Sequence, residues 1–195
     1  MISVDEARTR ILSSFEPLPP EDVGLDEALG RVLAQDVRAR RTQPPTAISS
    51  MDGYAARSAD LSEAPKVLKQ VGKAPAGGAF SGVVGPNETV RIFTGGPIPD
   101  GADTIVIQEN TESEGDRITV RVSTKAGQYI RNAGLDFNTG EVGLSSGKIL
   151  TARDISLAAA MDFPWLTVYR KPRIAILATG DEVVRPGEPI GPNQI

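Results

Sequence analysis

Residues 89–108 read TVRIFTGGPIPDGADTIVIQ, and this stretch decides the fold class. Its two ends, 89–93 and 104–108, are short runs rich in β-branched residues. Between them lie Gly95-Gly96-Pro97 and Pro99-Asp100-Gly101, whose backbone preferences mark turns rather than a continuing element. The same grammar extends outward. Runs at 66–71 and 117–122 have the same composition, and Gly85-Pro86 and Glu114-Gly115-Asp116 punctuate them. Short strands spaced regularly by turn signals predict a small β-barrel or sandwich between Ser49 and about Asp136. The chain holds 20 Gly and 15 Pro, near the level at which disorder enters the discussion. They are dispersed between apolar runs, so they read as turns of a β-rich protein.

The flanks read differently. Ser3 and Glu6 have capping-box spacing, and Val4, Ala7, Ile11, Leu12 and Phe15 fall on one face of a first helix that Pro17, Pro19 and Pro20 end. That apolar stripe calls for a partner surface. A short second helix is expected at 25–29 with Gly30 as its C-cap, then a strand at 31–37. Arg38, Arg40 and Arg41 run into Pro44 and Pro45 as a linker. Beyond the β-rich segment, Thr151 caps a helix at 152–161 with Asp154 in its first turn, and a strand is expected at 166–169. The apolar run 174–178 lacks alternation, as in a strand buried on both faces of an α/β sheet. No covering helices follow it before Ile195, so a longer parent protein is expected.

Composition narrows the chemistry. Cysteine is absent, which removes disulfides and thiolate ligands, and histidine is absent, which removes Ser-His-Asp chemistry and histidine acid/base catalysis within these residues. A net charge of −4 without a dense basic stripe disfavours nucleic acid as a partner. No run approaches the roughly 18 apolar residues of a membrane span. The opening MISVDEARTRIL has no apolar core segment, so no signal peptide is expected and the default location is the cytoplasm. Carboxylates, hydroxyls, lysines, arginines and backbone amides remain for polar chemistry.

Four segments set such groups among glycines or at a strand end: Ser49-Ser50-Met51-Asp52-Gly53-Tyr54-Ala55; Ile92-Phe93-Thr94-Gly95-Gly96-Pro97-Ile98-Pro99; Arg131-Asn132-Ala133-Gly134-Leu135-Asp136; and Ala178-Thr179-Gly180-Asp181-Glu182. Each alone suits a structural turn, as Asp52 before Gly53 does. The second matches neither a Walker loop nor a dinucleotide fingerprint. The fourth sits after the apolar run, where open α/β sheets bind ligands.

Taken in order, the four segments resemble the MoeA family of molybdopterin molybdotransferases, which includes the E domain of gephyrin. The resemblance covers nearly the whole chain. It departs at Gly96, where alanine is common, and at Leu135, where a polar residue is usual. It implies a multidomain, β-rich α+β protein: a small β-barrel or sandwich domain II at 44–136, inserted into an elongated, discontinuous domain I at 16–43 and 137–170. The helix at 1–15 and the segment 171–195 would then be the first elements of a truncated α/β molybdopterin-binding domain III. The implied activity is molybdenum insertion from molybdate into adenylylated molybdopterin with release of AMP, assisted by Mg2+, in a homodimer joined through domain I. A molybdopterin adenylyltransferase is a further expected partner.

By the same resemblance, Asp52, Thr94, Asp136 and Glu182 are the candidate catalytic residues. Asp52, Asp136 and Glu182 are the candidate metal ligands, and Gly95, Gly96, Thr179 and Gly180 are the candidate cofactor-binding residues. Thr94 with the amides of Gly95 and Gly96 is expected to bind an oxyanion. Asp181 ranks below Glu182, as a cap of the local turn. The chain alone is expected to be inactive. The competing readings are a scaffold module of gephyrin type without catalysis and a generic β-rich binding module, which leaves the four ordered motifs as coincidence.

Overall fold

The computed structural model describes residues 2–75 and 77–195. The elements in chain order are α1 (Val4–Leu12), β1 (Pro20–Gly24), β2 (Val37–Arg38), β3 (Ile48–Ser49), β4 (Gly53–Ala56), β5 (Lys66–Ala74), β6 (Glu88–Ile92), β7 (Thr104–Ile107), β8 (Thr111–Glu114), β9 (Arg117–Val120), β10 (Ile130–Arg131), β11 (Val142–Leu144), α2 (Ala152–Ala160) and β12 (Trp165–Tyr169). Two single-turn 3-10 helices lie at Ser58–Leu61 and Gln108–Asn110.

Six strands form one sheet in the order β7-β4-β6-β5-β9-β8, and only the β5–β6 pair is parallel. The four β-rich runs expected from sequence are β5, β6, β7 and β9. The sequence reading missed β4, Gly-Tyr-Ala-Ala, a four-residue run without β-branched residues or alternation in which every residue is buried. Its strand character comes from its neighbours. It is sandwiched between β6 and β7, pairing Gly53 with both Ile92 and Ile107. A Cβ at Gly53 would stand 2.0 Å from the Val106 carbonyl oxygen, so only glycine admits this approach.

The buried apolar residues fall into separate clusters. One combines Val23, Leu33 and Val37 with Leu144, Leu150, Met161, Leu166 and Val168, and so joins the segments on either side of the six-stranded sheet. Two others, around Val90, Ile92 and Ile105 and around Leu61, Leu68 and Val120, lie within the six-stranded sheet and its loops. β1 and β12 pair antiparallel, Pro20 with Tyr169 through Gly24 with Trp165. The sheet segment is thus closed off by a ladder between residues about 145 positions apart.

Three local expectations need correction. Residues 25–29 are turns, with Glu27 N–H donating to the Gly24 carbonyl and Ala28 N–H to Leu25, because β1 fixes the chain extended up to Gly24 and leaves too few residues for a helix. Gly30 still adopts a positive φ of 73°. Residues 31–37 make only isolated bridges at Val32 and Leu33 before β2 begins at Val37. The run 174–178 forms no strand; Ile174, Ile176 and Leu177 are 78, 92 and 85% exposed, since no other described element pairs with or covers them. The stripe of α1 is likewise uncovered, with Val4 at 84% and Phe15 at 71%. Only half of its capping box is present: Ser3 Oγ accepts from Glu6 N–H, while the Glu6 carboxylate pairs with Arg10. Among the described residues no helix is long and apolar enough to cross a membrane.

α2 has the complete box. Thr151 N–H and Oγ1–H donate to Asp154 Oδ2 at 2.8 and 2.7 Å, and Lys148 Nζ lies 3.0 Å from Asp154 Oδ1. The Thr151 hydroxyl, and then its amide and Lys148, hold the Asp154 carboxyl below its usual range against the opposing effect of burial. A carboxyl with a lowered folded-state pKa stabilises the fold above its unfolded value, and that stability is lost as pH falls through the folded value. Thr151→Ala is expected to cost about 1 kcal/mol in urea unfolding at neutral pH. The difference from the parent chain should shrink in acid, and an unchanged difference across the titration would contradict the role given to Asp154.

Candidate functional site

The β4–β6 register builds the site. Gly53 at the start of β4 faces Ile92 at the end of β6, so the residue before one strand and the loop after the other lie side by side. Asp52 and Thr94 occupy those places, 42 positions apart in sequence. Asp52 Oδ1 accepts from Thr94 N–H at 2.7 Å and from Thr94 Oγ1–H at 2.8 Å. Both residues are exposed. Two donors on one oxygen stabilise the ionised form: the Thr94 amide, and next its hydroxyl, draw the Asp52 carboxyl below its usual 3.8, with the Arg91 charge adding to them and partial desolvation opposing. Asp52 Oδ2 makes no hydrogen bond among the described residues and remains an open acceptor on an exposed side chain.

Gly95 and Gly96 continue the loop, but not as oxyanion donors. Gly95 N–H donates to the Ser49 carbonyl at 2.9 Å and Gly96 N–H to the Phe93 carbonyl at 2.8 Å, while Ser49 N–H donates to the Gly96 carbonyl. Thr94 N–H is engaged by Asp52. The loop amides are therefore occupied by the turn that positions Thr94, which corrects the expected anion nest. Gly95 has a φ of 82° with open space at its Cβ position. Gly96 is buried, and a Cβ there would lie 2.9 Å from the Phe93 carbonyl oxygen. A cavity of about 590 Å³ opens beside this loop, lined by Gln43, Pro44, Ile48, Gly78, Gly95 and Pro97.

The other candidates lie elsewhere. Asp136 follows β10, and both its carboxylate oxygens accept from Arg131 Nη2, at 2.9 and 3.1 Å. Its amide donates to the Gln43 carbonyl. Glu182, Thr179 and Gly180 belong to the irregular segment after β12. There Ile195 N–H donates to the Glu182 carbonyl, and Gly180 lies against the Glu182 carboxylate. Among the described residues no three carboxylates gather where they could hold a metal ion. The expected set of Asp52, Asp136 and Glu182 is therefore not assembled within one copy of this chain: Asp136 is held by a neighbouring cation, and Glu182 rides on a segment without a sheet to fix it.

Two residues at the site were given no role from sequence. Arg91 projects from β6 beside Tyr54, its register partner, and Gln108 follows β7. Arg91 Nη1 donates to the Gly53 carbonyl at 3.1 Å and Nη2 to Gln108 Oε1 at 2.6 Å. A charged residue inside a β-branched run was the only local signal for Arg91; Gln108 carried none.

These features define a β-rich protein in which an exposed carboxylate is clasped by a threonine on paired strand ends, and the segments flanking the six-stranded sheet share one core. The family described as MoeA N-terminal region (domain I and II) matches residues 2–161, and the chain belongs to it. Molybdopterin molybdenumtransferases of Nostoc sp. and Haemophilus influenzae are 38% and 36% identical over 90% and 100% of the chain. Those matches cover 41% and 48% of the relatives, so the chain spans about half the length of the curated relatives it matches. A crystal structure of the molybdopterin biosynthesis moeA protein from Pyrococcus horikoshii OT3 superposes with a TM-score of 0.88 at 33% identity, over 96% of this chain and 51% of that one.

Thr94→Ala removes one of the two donors to Asp52 Oδ1 and leaves the amide. The Asp52 carboxyl midpoint, followed by carboxyl carbon chemical shift, is expected to rise toward its usual value. Above that midpoint the carboxylate stays ionised in both proteins, so the difference is confined to acid pH. A midpoint that does not move would show that the hydroxyl contributes nothing.

Proposed function

We propose that the protein of which this chain forms part inserts molybdenum from molybdate into adenylylated molybdopterin and releases AMP, and that Asp52 is the reactive carboxylate this chain contributes. The observation that carries the proposal is the Asp52–Thr94 clasp, an exposed carboxylate whose ionised form two hydrogen bonds favour at a strand end. The family membership and the names of the relatives support it. In this reading the terminal core at 16–43 and 137–170 is domain I, the sheet at 44–136 is domain II, and α1 with 171–195 belongs to a pterin-binding domain III. The protein acts as a homodimer through domain I in the cytoplasm, and a molybdopterin adenylyltransferase supplies its substrate.

The hydrogen bonds from Thr94 favour the ionised form of Asp52. A carboxylate that binds protons weakly is a poor base near neutrality, so proton shuttling is disfavoured and a standing negative charge is favoured. Beside molybdate and a pyrophosphate such a charge is repulsive unless a cation lies between them. Magnesium commonly uses one or two carboxylates together with substrate oxygens and water, and the open Asp52 Oδ2 fits that pattern as a single donor. When bound, the cation neutralises the two anions and lets them approach. Thr94 holds Oδ1, and Oδ2 is left open. Asp136 keeps Arg131 oriented on β10, and its ligand role lapses while that pair is intact.

In the full-length protein, Asp52→Asn is expected to lower molybdenum insertion at limiting magnesium by about tenfold or more, with the dimer unchanged in sedimentation. Insertion at the parent rate would reject the assignment. Residues 1–195 alone are expected to release no AMP from adenylylated pterin.

A further inference from the structure

We propose that Arg91 is a positioning residue for Asp52, holding the backbone on which the carboxylate is mounted through a closed ring of contacts. This rests on the reading of Asp52 as the reactive carboxylate.

The ring can be followed atom by atom. Gln108 N–H donates to the Asp52 carbonyl at 3.1 Å. The Gln108 side-chain oxygen accepts from Arg91 Nη2 at 2.6 Å, and Arg91 Nη1 donates to the carbonyl of Gly53, the next residue after Asp52. Thr94, three residues beyond Arg91, grips the Asp52 side chain. β6 and the start of the loop after it therefore hold Asp52 from both sides, and β7 supplies the third support through Gln108. The guanidinium is also confined by aromatic rings, 5.1 Å from the centroid of Tyr54 and 4.9 Å from that of Phe93. Tyr54 is buried, so its wall is fixed.

This arrangement uses what distinguishes arginine from lysine. A planar fork donates in two directions at once and stacks on ring faces, whereas an ammonium offers a point charge on a flexible stem. Arg91 makes no ion pair with Asp52 within 4.0 Å among the described residues; its charge acts across a longer gap and its geometry acts through Gly53 and Gln108. Structural arginines commonly pair with carboxylates. Here the fork is directed at one carbonyl and one amide oxygen, and the carboxylate remains free for a ligand.

Two substitutions separate charge from geometry. Arg91→Gln removes both, and the backbone amide resonances of Gly53 and Gln108, measured by NMR on the 195-residue chain, are expected to shift as the ring opens. Arg91→Lys keeps the charge but loses the fork, and the same resonances are expected to shift. In the full-length protein both variants should lose about tenfold in the kcat of molybdenum insertion, with the KM for pterin little changed, because a misplaced carboxylate is the common defect. Gly53 and Gln108 amide resonances unmoved in a folded Arg91→Gln chain, or full kcat in Arg91→Lys, overturn the proposal. If Arg91→Gln does not fold, Gln108→Ala opens the same ring from the exposed side, and its kcat must fall likewise. Failure of the Asp52 reading itself is distinguished by Asp52→Asn, which would then insert molybdenum normally whatever Arg91 does.

Discussion

The structure depends on the approach of β4 to β7 at Gly53. A carbonyl oxygen occupies the place where any other residue would carry its Cβ. This contact lets a short, weakly patterned strand enter the sheet between two strongly patterned ones. Once it is there, the antiparallel register with β6 leaves no freedom about what stands next to Asp52. The hydrogen bonds from Thr94 follow from that register, and the lowered carboxyl pKa follows from the hydrogen bonds. Backbone sterics at one glycine thus lead, in three steps, to an electrostatic property of the candidate site.

The same site shows how structural and reactive polarity divide a loop. The amides of Gly95 and Gly96 look available in sequence, because glycines permit close approach. In the fold they close a turn onto Ser49 and Phe93, and the turn's product is the orientation of Thr94. Donors already engaged inside the protein have no hydrogen to offer a substrate, whereas the second oxygen of Asp52 is left open. A carboxylate held ionised but not neutralised repels an anion unless positive charge arrives from elsewhere.

The ladder between β1 and β12 and the core beneath it join the segments on either side of the six-stranded sheet. Contacts of such long sequence separation tie the stability of α2, and with it the Thr151–Asp154 box, to the closure of the chain's two ends. The exposed stripe of α1 and the uncovered run from Ile174 to Leu177 stand apart from this closure. Both are apolar where they lack a neighbour, because the hydrophobic pattern of a segment is written for the surface it packs on.

Much of this was legible in the residues themselves. β-branched runs bounded by glycine and proline fixed the positions of β5, β6, β7 and β9, since both the strands and the turns between them rest on local backbone preference. The Thr151 cap and the first helix were legible for the same reason, and the ordered motifs marked Asp52 and Thr94. What the residues could not show were the relations between distant segments: that Gly53-Tyr54-Ala55-Ala56 is a central strand, that Asp136 pairs with Arg131, and that Arg91 and Gln108 contact the backbone at Asp52 and Gly53. Those are matters of register and of which donor reaches which acceptor. They were decided only when tertiary packing set one strand against another.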